Sequence, residues 1–133
     1  MLAAVLLVAL GACSSDDKGK DPEARANIVP PYYKNRIIDL MRNALEDPTN
    51  VRDASITEPT LKPVGAVSRY IVCIRFNAKN SSGQYAGIKE KVAYFYEGEI
   101  TQIVDASREQ CAGVAFQPFP DLEKLCRQIK CPS

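Results

Sequence analysis

Apolar positions recur along this chain in three patterns, and each pattern predicts a different element. From Met1 to Ala12 they run on without a charge. A membrane-spanning helix needs roughly 20 apolar residues, so this run is too short to cross a bilayer and has the length of a secretory h-region. Residues 14–31, "SSDDKGKDPEARANIVPP", are mostly polar and of mixed charge, with three prolines. Such a stretch cannot bury enough surface to offset its chain entropy, and it reads as a tether that could reach about 60 Å when drawn out. The spacing changes after Pro31. Tyr33, Ile37, Leu40, Met41, Ala44 and Leu45 fall on one face of a helix, which Pro48 forbids from continuing.

Alternation takes over further on. In "SRYIVCIRFNAK", Tyr70, Val72, Ile74 and Phe76 share one face and Arg69, Arg75 and Asn77 the other, the signature of a half-buried strand. Ile88–Tyr96 and Glu99–Val104 predict two more, joined at Glu97-Gly98, where glycine permits the positive φ of a tight hairpin. A shorter strand is expected within Ala54–Leu61, confined to an edge by Pro59. A last helix over about 121–129 turns Phe119, Leu122, Leu125 and Ile129 towards the core. The expected fold is therefore α+β. It is a single antiparallel β-meander of three to four strands with an N-terminal and a C-terminal helix, filling residues 32–133 as one domain.

Between the first two predicted strands lies "NAKNSSGQYAG", residues 77–87. Asn80, Gly83 and Gly87 suit turn geometry, so the plain reading is a hairpin connection. A glycine cradle for phosphate would lead into a helix, and here a strand follows. If the connection recognises anything, Tyr85 is the expected aromatic anchor, with Lys79, Asn80 and Gln84 as polar contacts around it. Asn80-Ser81-Ser82 also fits the N-glycosylation pattern, a match expected to be incidental.

Composition narrows the chemistry. The 133 residues carry 17 Lys plus Arg against 16 Asp plus Glu, a net charge of +1, which argues against a nucleic-acid partner. There are 0 histidines, so Ser-His-Asp and Cys-His catalysis and histidine-bearing zinc sites are excluded together. The carboxylates Glu90, Glu97, Glu99 and Asp105 lie in the meander, and Glu90 alternates with Lys89 and Lys91 as on a solvated face. No catalytic residue, metal or cofactor is expected.

The end of the first apolar run, "LGAC" from Leu10 to Cys13, resembles the bacterial lipobox. The resemblance implies cleavage before Cys13 and diacylation of its thiol, with residues 1–12 as signal peptide and 13–31 as lipidated cysteine and tether. No Lys or Arg precedes the run, as expected if the start codon has been placed several residues late. The implied partner is the lipid bilayer through acylated Cys13. The implied location is the cell envelope, facing the periplasm, and Ser14 favours the outer membrane over the inner.

A lipidated Cys13 leaves Cys73, Cys111, Cys126 and Cys131. An even remainder in an exported domain points to disulfides, and four cysteines allow three pairings. Favoured is Cys73–Cys111 with Cys126–Cys131, closing loops worth about 4 and about 2 kcal/mol on the chain-entropy model.

Over residues 40–117 the chain also resembles small proteobacterial envelope proteins that carry the segment V-N-A-K-N-x-x-G-G-Y-x-G after a helix ending in D-P-x-S. The matching positions are Asp47, Pro48, Asn77, Ala78, Lys79, Asn80, Gly83, Tyr85 and Gly87, while Gln84 and Asn50 depart from the pattern. The resemblance brings no activity with it. The expectation is a non-catalytic envelope module that binds or scaffolds a protein partner. Its alternative is an inhibitor that inserts a rigid loop into a secreted or periplasmic hydrolase.

Overall fold

The computed structural model describes Ala24 and residues 27–125. The expected signal peptide, Cys13, most of the expected tether, the favoured Cys126–Cys131 pair and the far end of the expected last helix lie outside the described residues. Helix α1 spans Tyr33–Ala44. It turns Ile37 and Met41 into the core, with Tyr33, Ile38 and Leu45 packed half-buried beside them. Leu40 and Ala44, expected on that face, are exposed instead. The apolar stripe of α1 is thus narrower than periodicity implied, because the helix covers only part of the sheet.

The expected strands are present, together with others. β1 spans Asp47–Ile56, β2 Thr60–Val64, β3 Val67–Lys79, β4 Tyr85–Tyr96, β5 Glu99–Asp105 and β6 Gln117–Pro118, followed by the short helix α2, Pro120–Glu123. They form one antiparallel sheet of six strands in the order β5-β4-β3-β1-β6, with β2 also on β3. The architecture is α+β, but larger than a meander of three to four strands. The strand expected within Ala54–Leu61 is two, lying end to end along one side of β3. Thr57 makes the joint. Its N–H donates to the Cys73 carbonyl at 3.0 Å, and its hydroxyl accepts the Cys73 N–H at 2.9 Å. The side chain thus stands in for a ladder carbonyl just before Pro59, whose nitrogen has no hydrogen to donate.

Alternation along β3 divides the two sides of the sheet as expected. Val72, Ile74, Phe76 and Ala78 join Ala93, Phe95 and the α1 residues in the main core, which Phe119, Leu122 and Leu125 close from the C-terminal side. On the reverse side Ile71, Val92 and Tyr94 form a smaller cluster with Val64 and Ala106. Over it runs the segment between β5 and β6, joined to β3 by the Cys73–Cys111 disulfide. The Gln110 side chain donates to the Tyr94 hydroxyl there.

The β4–β5 connection is the expected tight hairpin, with φ of 55° at Glu97 and 78° at Gly98. Against this turn lie Ile28 and Pro31, the last residues of the stretch read as tether, and Pro30 is fully buried. The N-terminal segment therefore meets the domain at the β4–β5 end. The 13 residues of β3 carry the chain from that end to the β3–β4 hairpin, about 40 Å away.

Candidate binding surface

At the far end of β3 the run quoted above resolves into a tight connection and the start of a strand. The Asn80 side-chain oxygen accepts the N–H groups of Ser82 and Gln84 at 3.0 and 3.1 Å. The Asn80 N–H donates to the Gln84 carbonyl at 2.8 Å, and the Gly83 N–H to the Asn80 carbonyl at 3.0 Å. Glu46, just past α1, accepts the Ser81 N–H at 2.8 Å. Gly83 holds φ at 78°, as the turn reading requires. Gly87, also expected in the turn, lies instead inside β4 at φ 95°, where the ladder with β3 is irregular and its N–H donates to the Asn77 side-chain oxygen. Asn80 is thus occupied in shaping the turn.

Tyr85 does something else. Its ring crosses β3 from β4, and its hydroxyl donates to the Asn50 carbonyl on β1 at 2.7 Å. The Arg52 guanidinium stacks over the ring at 4.0 Å from its centre, and the Lys79 ammonium stands 5.6 Å away. Two cations therefore attend one fixed aromatic ring. Strand β1 makes this possible by breaking its own register twice, between Asp47 and Arg52 and again between Arg52 and Ser55. Asn50 and Asp53 take φ of 53° and 52°, the left-handed region that Asn and Asp tolerate better than other side chains. Bulges of this kind re-aim side chains at sheet rims, and here they bring Arg52 and the Asn50 carbonyl to Tyr85.

The result is an open groove of about 480 Å³ lined by Asn50, Val51, Arg52, Lys79, Tyr85 and Glu123. Asp47, the strand partner of Lys79, has its carboxyl held below the usual carboxylate range. The hydroxyl and N–H of Thr49 donate to it, and the Lys79 charge adds to the effect. Asp47 is thereby kept ionised beside Lys79. Among the described residues no carboxylate pairs with Arg52, which is left with free guanidinium donors.

Of the four residues singled out in the sequence, the structure brings Lys79 and Tyr85 together and leaves the exposed Gln84 at the hairpin, beside Asn80. Arg52 and Asn50 were not singled out. They lie in a stretch with no strand alternation, where an Asn and an Asp three apart are the sole trace of the two bulges. Compared with protein-family models, curated proteins and solved structures, the chain matches none.

Proposed function

We propose that the protein is an exported lipoprotein of the bacterial envelope, anchored through acylated Cys13 and facing the periplasm, most naturally on the outer membrane. Its role in this reading is non-catalytic: it binds or scaffolds an envelope protein through the Tyr85 surface. The observation that supports it best is the construction of that surface. Tyr85 is held by a hydrogen bond to Asn50 and stacked by Arg52, so a rigid aromatic ring with charged neighbours is ready before any partner arrives. The groove also lies at the end of the domain away from the N-terminal segment, and an anchor at Cys13 would leave it pointing away from the bilayer. The hydrogen-bonded tip at residues 80–84 is equally what an inhibitory loop needs, so a hydrolase is one partner to look for.

The test places a photo-crosslinking side chain at Gln84 in the full protein, expressed in its own envelope. A discrete adduct that disappears with Tyr85→Ala supports docking, and its identity separates a hydrolase from an assembly partner. A protein that stays in the membrane fraction with Cys13→Ser, or a crosslink unaffected by Tyr85→Ala, overturns the corresponding half of the reading.

A further inference from the structure

The reverse side of the sheet continues beyond Tyr85, and its more exposed half has one consistent character. Across three strands, Arg52 stands opposite Asn77 and Asn77 opposite Ile88. Ile88 is 64% exposed, although it sits inside a strand. One ladder step further, Arg75 stacks on Phe116 at 3.8 Å and pairs with Glu90 at 2.5 Å. The half nearer the β4–β5 turn is covered by the segment stapled at Cys111, which reaches this half only at Phe116 and, among the described residues, leaves Ile88 and Arg52 exposed. An exposed strand isoleucine bordered by two arginine–aromatic stacks is an apolar patch with cationic margins, a composition that favours protein contact.

The charges identify the partner. Arg75 already has Glu90, and Lys79 has Asp47 beside it, but among the described residues Arg52 forms no ion pair, a candidate being Glu123 on the lining of the same groove. The Arg52 guanidinium is immobilised on Tyr85, so little side-chain entropy remains to be lost when its outward donors take up an anion. We infer that this half of the sheet, centred on Arg52 and Ile88, docks an acidic protein segment. A carboxylate side chain of that segment meets Arg52, and an apolar neighbour lies on Ile88. The inference rests on the binding role proposed above and names the chemistry of the partner.

The probe is a capped peptide of mixed glutamate and leucine, presented to the full protein and read by amide chemical shifts and calorimetry. Controls replace every glutamate by glutamine or by lysine. The glutamate peptide is expected to shift the amides around Arg52, Asn77 and Ile88, and to weaken with rising salt as surface ion pairs do. Arg52→Gln should loosen it about fivefold, the effect of one exposed charge-assisted contact. Arg52→Glu should transfer the preference to the lysine peptide. Both substitutions are at an exposed side chain, and an unchanged thermal midpoint shows that folding is intact. Equal binding of the glutamate and glutamine peptides overturns the inference, as does a glutamate affinity indifferent to Arg52→Glu. Failure here, with the Gln84 crosslink still dependent on Tyr85, removes the acidic partner and leaves the binding role. Loss of that crosslink removes the role itself.

Discussion

Against α1 the sheet presents Val72, Ile74, Phe76, Ala93 and Phe95, none more than 2% exposed, while on its reverse side Ile88 is 64% exposed. The first surface is closed by a helix and by the C-terminal segment, each bringing its own apolar side chains. The second is closed over half its length by a loop that packs Ala106 on the smaller cluster, and a disulfide holds that loop in place. The comparison shows two ways to finish a sheet. One uses buried area, which scales with the side chains supplied, and the other uses a covalent constraint where area is scarce. What neither covers is left available for contact.

The largest effect should come from the closed side. Phe76→Ala is expected to cost about 4 kcal/mol through lost burial and a residual cavity, measured by denaturant titration. Replacing both Cys73 and Cys111 by alanine should cost up to about 4 kcal/mol on the same measurement, mostly by relaxing the unfolded chain's constraint. Hydrogen exchange then sharpens the comparison: residues 106–116 should lose protection while α1 keeps it. Equal loss in both would show that the two sides are not separately finished.

A smaller effect is expected at Gly98. It holds φ at 78°, and an added Cβ would lie 3.2 Å from the Pro31 side chain and 3.3 Å from Ile28. Gly98→Ala should cost about 1–2 kcal/mol from the left-handed backbone, and should detach residues 28–31, seen as faster proteolysis there. On the exposed half the effects shrink further. Tyr85→Phe removes the bond to Asn50 and should cost about 1 kcal/mol, whereas Ile88→Ser should stay within about 0.5 kcal/mol in thermal melts. A large loss from Ile88→Ser would mean that this side is core after all.

The smallest expected effect is in acid. The folded-state carboxyl of Asp47 lies below the usual range because Thr49 donates to its ionised form. Its contribution is therefore present above the unfolded value of about 3.9 and is lost as pH falls through the lower folded value. Asp47→Asn should flatten that part of the acid limb in a pH-dependent melt.

Strand β3 was legible because alternation and burial coincide: its even-numbered residues from Val72 to Ala78 are all buried in the main core. The Glu97-Gly98 turn was legible because glycine there answers a local backbone requirement. Strand β1 was not. Asp47, Pro48, Asn50 and Asp53 all disfavour strand, and the segment is held extended by pairing with β3 and β6 rather than by its own preferences. The groove shared this fate. Tyr85 and Lys79 could be picked from the turn sequence, but Arg52 reaches them through two bulges that leave no period to read.

The sequence by itself determined the order of the main elements, the side of β3 that enters the core and the absence of histidine chemistry. Those follow from short-range periodicity and composition, which act along the chain. The Cys73–Cys111 bond favoured from the sequence is formed, but only the tertiary structure decided that β1 and β2 share one side of β3 and that Arg52 rests on Tyr85. The β1 residues lie 18 to 32 positions from their β3 partners, and Arg52 lies 33 from Tyr85. The stability of such pairings depends on what the rest of the fold brings alongside, and the chain carries no local mark of that.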